Sequence, residues 1–242
     1  NISITTNKKI TLSNNEILDK AIKFHSLGNL SKASQYYQIC INKGFKDHRI
    51  FCNYGVLLKN IGNIKEAEKI TRKAIELKPD YATAYSNLGI IFKSLGRLEE
   101  AENYYRKAIE LNCSVPESHS NLASTLRDLG KLKEAEIHFK KALKLKPNFA
   151  IAYYSLTTLK YSDNNEEWRK ELFSENVLKD MPPKDKVNIY FARSNVLHRE
   201  KSYKESSKYL RLANQIKLSN NPYKVDSLIL KSNKLMLELP KK

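Results

Sequence analysis

The stretch YSNLGIIFKSLG, Tyr85 to Gly96, decides the fold. Wound as a helix at about 100° per residue, it gathers Tyr85, Leu88, Gly89 and Phe92 into one arc. Asn87 falls on the opposite side, with Thr83, Ile90 and Ser94. Gly96 follows Phe92 by four residues, where a helix ends with little strain in a left-handed conformation. Asn53 and Asn121 stand 34 residues to either side of Asn87. One such amide would pass for an ordinary solvated face; three at a fixed period ask how the whole chain is organised.

The glycines answer that question. Of seven, Gly28, Gly62, Gly96 and Gly130 stand 34 apart, Gly55 and Gly89 stand 34 apart, and Gly44 lies in a turn. Five residues after each member of the first series comes Ala33, Ala67, Ala101 or Ala135; seven further on come Cys40, Ala74, Ala108 and Ala142. Pro79 and Pro147 occupy equivalent places in the following turns. The next segment, LEEAENYYRKAIEL, carries a second helical stripe at Leu98, Ala101, Tyr105, Ala108 and Ile109. Small residues at Gly89 and Ala101 let the two helices approach, and large ones at Tyr85, Phe92 and Tyr105 fill the space between units.

With these residues the chain resembles the tetratricopeptide repeat (TPR) family, whose helix–turn–helix unit has this period. In the third unit the matching residues are Tyr85, Leu88, Gly89, Phe92, Gly96, Ala101, Tyr105 and Ala108. In the fourth they are Leu122, Ala123, Leu126, Gly130, Ala135, Phe139, Ala142 and Pro147. The four regular units are 14–47, 48–81, 82–115 and 116–149. The resemblance implies an all-α fold, a right-handed superhelix (α-solenoid) of stacked TPR helix pairs.

Downstream the pattern decays, and residues 150–220 read as two degenerate TPR-like units. AIAYYSLTTLKYSDNNEEWRKELF starts a fifth unit, with Asn164 in place of glycine, Arg169 in place of alanine, and Phe173 keeping the aromatic slot. Ile189 to Lys217 reads as a sixth, starting 37 residues after the fifth, with Lys201 for glycine and Ser206 for alanine. Residues 221–242 are expected to supply a C-terminal capping helix and a basic tail, covering the end of the array. Residues 1–13 have no helical pattern and are expected to be an extended lead-in.

Stacked units set their first helices side by side, roughly 8–10 Å apart, and an extended peptide advances about 3.3 Å per residue. One Asn per unit then meets such a peptide at about every third residue, offering one acceptor and two donors to its backbone. Asn53, Asn87 and Asn121 are the candidate peptide-binding row. The resemblance extends to TPR arrays similar to that of O-linked N-acetylglucosamine transferase, where an Asn ladder grips extended polypeptide. The row is short here: Asp19, Ser155 and Ala192 hold the slot in the first, fifth and sixth units. The bland alternative is an idle Asn in a common repeat sequence.

A second row, Lys59, Lys93 and Arg127, recurs beside the first and is preceded by His25. With Asn60, Thr83 and Ser94 it favours acidic or phosphorylated extended ligands; solvated lysines are the plain reading. Leu18 and Ile22 stand where a carboxylate-clamp TPR wants polar groups, which argues against binding chaperone C-termini.

The formal charge is +17, but Lys outnumbers Arg 34 to 9. Nucleic-acid readers lean on Arg for planar, bidentate contacts, so nucleic acid is the weaker partner and compositional bias the simpler source of charge. The basic excess is densest in residues 187–242, with 12 basic and 4 acidic side chains. No run approaches the roughly 20 apolar residues of a membrane span. Cys40, Cys52 and Cys113 show no CxxC and no zinc spacing, which suits a reducing, cytoplasmic setting.

All seven glycines serve the repeats, leaving none for a phosphate-cradling loop. His25, His48, His119, His138 and His198 are scattered, and His119 sits at a core-type position. No cofactor and no metal are expected, and no catalytic residue is assigned. Ile189, Tyr190, Phe191, Ala192, Tyr203, Tyr209, Leu210, Ala213, Asn214 and Lys217 are similar to the last helical pair before the catalytic domain of bacterial TPR-linked sulfotransferases. That resemblance, the start at Asn1 and the abrupt end at LPKK lead to the expectation of a non-catalytic protein-interaction module of a larger protein. The alternatives are a stand-alone scaffold, or a basic surface for nucleic acid or anionic ligands.

Overall fold

A computed structural model describes residues 13–159 and 166–219, and every regular element among them is helical. The chain divides into two compact units, 1–113 and 114–242. The expected capping helix, most of the lead-in and Asn164 lie outside the described residues.

The first unit holds three helical hairpins: α1 (Asn14–Ser26) with α2 (Leu30–Asn42), α3 (His48–Asn60) with α4 (Ile64–Leu77), and α5 (Ala82–Ser94) with α6 (Leu98–Leu111). Short polar side chains start several of these helices. Ser13 and Glu16 form a capping box on α1, and the Asn29, Asp47 and Asn63 side chains accept from Lys32, Arg49 and Glu66 backbone N–H groups. The turns close as the period predicts. Gly96 adopts φ +73°, its N–H donates to the Lys93 carbonyl, and the Arg97 N–H returns to Phe92.

Successive hairpins stack through α2 on α3 and α4 on α5, and α3 also lies against α5. The notch residues work within a hairpin: a Cβ on Gly89 would stand 2.7–2.8 Å from the Tyr105 ring. Tyr105, expected between units, therefore fills the gap over Gly89 in its own hairpin. Tyr85 is half-buried, and its hydroxyl donates to the Pro79 carbonyl at 3.0 Å.

The second unit begins with the hairpin of α7 (Pro116–Asp128) and α8 (Leu132–Leu145). In it His119 and His138 hold the slots of Tyr85 and Tyr104, and their Nδ1 atoms meet at 3.0 Å. Two imidazoles thus stand where the preceding hairpin has two phenol rings 6.4 Å apart.

The next two helices, α9 (Ala150–Thr158) and α10 (Glu166–Phe173), are short, and α9 packs on α8 and α11 (Pro183–Arg199). Arg169, in the small-residue slot, is exposed and pairs with Glu200 at 2.6 Å instead of seating a close helix contact. Basic side chains of α11 take over the fastening. Arg199 donates to the Thr157 and Leu159 carbonyls at the end of α9, and Arg193 to the Leu172 and Ser174 carbonyls at the end of α10. The three extra residues before the sixth unit fall in a segment with a 3₁₀ turn at Asn176–Leu178 and a left-handed Asp180.

The last hairpin, α11 with α12 (Tyr203–Ser219), keeps the repeat geometry with different chemistry. Ser194 and Ser206 stand at the slots of Gly89 and Ala101, buried, with their hydroxyls 3.0 Å apart. Lys201 replaces the turn glycine and adopts its left-handed conformation, at φ 62°.

Candidate functional site

Each Asn of the predicted row lies on the first helix of its hairpin and is half-buried. In the first unit the row is internally tied. The Asn87 amide donates from α5 to the Cys52 sulfur on α3 at 3.0 Å, and Asn53 shares a side-chain hydrogen bond with Tyr37 on α2. On the side of α5 away from Leu88, Gly89 and Phe92, Asn87 thus bridges the neighbouring first helices α3 and α5. A sulfur is a weak acceptor, so Asn87 keeps a carbonyl and a second N–H for other partners. Burial pushes the Cys52 thiol up to about 11, offset in part by the Asn87 bond, so Cys52 stays a thiol at neutral pH.

Lys59 and Lys93 occupy the last turns of α3 and α5, half-buried. A cation there complements the partial negative charge of the helix end, which gives both lysines a structural use besides any ligand. Asn60 is exposed at the end of α3. Thr83 and Ser94 are exposed but spend their hydroxyls locally: Thr83 bonds to Tyr81, and Ser94 donates to the Ile90 carbonyl at 2.8 Å. The first unit thus brings together Asn53, Asn87, Lys59 and Lys93 on adjacent first helices.

In the second unit Asn121 and Arg127 sit on α7. The Arg127 guanidinium donates to Asp128 at 3.1 Å and to Ser124 at 3.4 Å, which draws it toward its own helix. Its charge is therefore shared with a carboxylate, unlike a bare anion receptor.

His25, at the head of the basic row, is half-buried with Nδ1 3.4 Å from the Tyr37 hydroxyl. Desolvation holds its imidazole below the ordinary 6.5. The row therefore opens on a neutral group at neutral pH. Because the folded state resists protonation, His25 contributes stability above pH 6.5 that is lost as pH falls through its lower folded value. His25→Gln is expected to flatten the decline in denaturation midpoint between pH 7 and 5; an unchanged pH slope would remove this assignment.

Sequence reasoning missed Cys52 and Tyr37 as partners of the amides. Their signal was present: Cys52 stands in the slot that holds Ser86 and Ser120 in the next units. Among the described residues, no helix is long and apolar enough to cross a membrane.

Residues 48–81, 82–112 and 116–149 match models of the tetratricopeptide repeat, and these three segments are tetratricopeptide repeats. No curated protein matches the chain. Among solved structures the chain is similar in fold to PilF of Pseudomonas aeruginosa, at 16% identity and TM-score 0.65, covering 91% of this chain and 97% of that one. It is similar to YrrB, described as a TPR protein with an unusual peptide-binding site, at 19% identity and TM-score 0.54, covering 83% and 100%. MamA of Desulfovibrio magneticus RS-1 aligns at 12% identity and TM-score 0.54, covering 85% and 96%.

Proposed function

We propose that the chain is a protein-interaction module that holds an extended polypeptide along the first helices of its repeats. The observation that carries this reading is the pair Asn53 and Asn87, half-exposed at one register on the touching helices α3 and α5. Their unused amide atoms meet a peptide backbone without reading its side chains. Lys59 and Lys93 bias the choice toward acidic segments, with Asn60, Thr83 and Ser94 on the same helices. Asn121 and Arg127 offer the equivalent groups on α7 of the second unit. The presence of tetratricopeptide repeats and the fold shared with YrrB support binding of a polypeptide.

On this reading the module has no chemistry of its own and raises the local concentration of a polypeptide beside a partner. The likeness of Ile189–Lys217 to sulfotransferase TPR regions names one such partner, a fused or neighbouring sulfotransferase; sulfotransfer by residues 1–242 alone would contradict the non-catalytic role.

The test uses peptides selected against the whole chain by display. Asn53→Ala combined with Asn87→Ala and Asn121→Ala is expected to weaken binding about tenfold or more, since each backbone hydrogen bond is worth roughly 0.5–1.5 kcal/mol. Unchanged affinity would sink the amide row. Salt separates the rival reading: phosphate binding through the basic residues 187–242 should collapse between 50 and about 200 mM salt, whereas backbone amide contacts should persist.

A further inference from the structure

The unit of residues 114–242 contains a cavity of about 620 Å³ between α8, α9 and α10, within the range of ligand pockets. It exists because α10 is fastened to α11 by Arg193 and does not close on α9 as a regular second helix would. Leu143, Pro147, Tyr153 and Trp168 give it an apolar wall. Ile137, 52% exposed, extends that wall outward.

Two polar features set the chemistry of an occupant. The Trp168 Nε1–H is shielded from solvent and has no acceptor among the described residues. A buried donor left without an acceptor is unfavourable, and any ligand that brings a carbonyl relieves it. On the α8 side the cavity is bordered by Lys140, Lys141 and Lys144. The Lys140 ammonium is taken by Glu136 at 2.6 Å, which leaves Lys141 and Lys144, about one helical turn apart, facing a ligand. Glu167 and Glu171 make the α10 side acidic, so the occupant must be oriented: its negative charge lies against α8.

We propose that this cavity binds an acidic polypeptide segment through one large apolar side chain. A backbone carbonyl of the segment accepts from Trp168 Nε1, and a flanking Asp or Glu meets Lys141 and Lys144. The lysine spacing, about 5–6 Å on one helix face, suits alternate residues of an extended chain, which lie about 6.6 Å apart on one face. No residue of α7 lines the cavity, so it is a separate site from the amide row, and the proposal stands or falls apart from it.

Trp168 is the one tryptophan of the chain, so tryptophan emission, excited at the red edge where tyrosine does not absorb, reports this cavity alone. The probe is a pool of capped hexapeptides with central Phe, Leu or Met flanked by Asp and Glu, compared with the same pool flanked by Lys. The acidic pool is expected to shift Trp168 emission saturably, and Lys141→Glu with Lys144→Glu to weaken it about tenfold, with the helical circular dichroism unchanged. Asn53→Ala and Asn87→Ala should leave the response intact, which separates this site from the amide row. Trp168→Phe, followed by anisotropy of the labelled acidic pool, should bind several-fold more weakly. An absent emission shift, an equal response to the Lys-flanked pool or to a short oligothymidylate, or undiminished affinity in either cavity variant would overturn the proposal.

Discussion

Arg193→Ala is expected to remove about 3–5 kcal/mol of stability from the unit of residues 114–242. The side chain is 2% exposed, and its guanidinium donates at 2.8 Å to both the Leu172 and Ser174 carbonyls. These are orphan acceptors at the end of α10, and an unpaired buried carbonyl costs roughly 1–3 kcal/mol. The rings of Phe173 and Tyr209 lie 5.7 and 5.3 Å from the guanidinium carbon, adding cation–π attraction in a site with little water. Arg193→Lys should recover only part of the loss, because a compact ammonium cannot reproduce the planar fork that reaches two carbonyls. Denaturant unfolding followed by Trp168 emission and by circular dichroism measures both variants. A loss below about 1 kcal/mol for the alanine variant would show that α10 is held by apolar contacts alone.

The reach of the sequence differs along the chain for physical reasons. From 14 to 149 the helices repeat one solution, in which a glycine turn, a small-residue notch and a large ring recur at fixed spacing. Each device leaves a residue-type mark, so period alone locates the hairpins. Beyond 150 the same needs are met by other residues. Lys201 takes a left-handed turn without glycine, and the Ser194–Ser206 hydroxyl pair keeps a close helix approach without Gly or Ala. The fastening of α9 and α10 was illegible, because Arg193 and Arg199 bond to backbone carbonyls 21 and 40 residues away. A carbonyl carries no side-chain signature. The same limit holds at the amide row. Period placed Asn53, Asn87 and Asn121 at one register, but only tertiary contact reveals that Cys52 and Tyr37 claim part of the first two. The cavity beside Trp168 was hidden too, since it follows from where α10 fails to pack.

Tyr105→Ala is expected to cost about 3–5 kcal/mol in the first unit, as for other large-to-small changes of buried aromatics. The ring is 1% exposed and lies directly over Gly89, whose missing Cβ makes room for it. Burial also raises its phenol well above the ordinary range, so it stays neutral at any working pH. The reciprocal change, Gly89→Ala, should cost about 1–3 kcal/mol through overpacking. It should not cost more, because Ala21 and Ala123 hold the same slot opposite Tyr37 and Phe139 in other hairpins. The two residues touch, so their effects cannot add. With Tyr105 cut back to alanine the Cβ at position 89 meets no ring, and it replaces a helix-interior glycine that disfavours helix by about 1 kcal/mol. Gly89→Ala should therefore turn neutral or stabilising in the Tyr105→Ala background, a reversal readable from unfolding midpoints. Simple additivity of the two changes would mean that the notch does not govern how closely α5 and α6 approach.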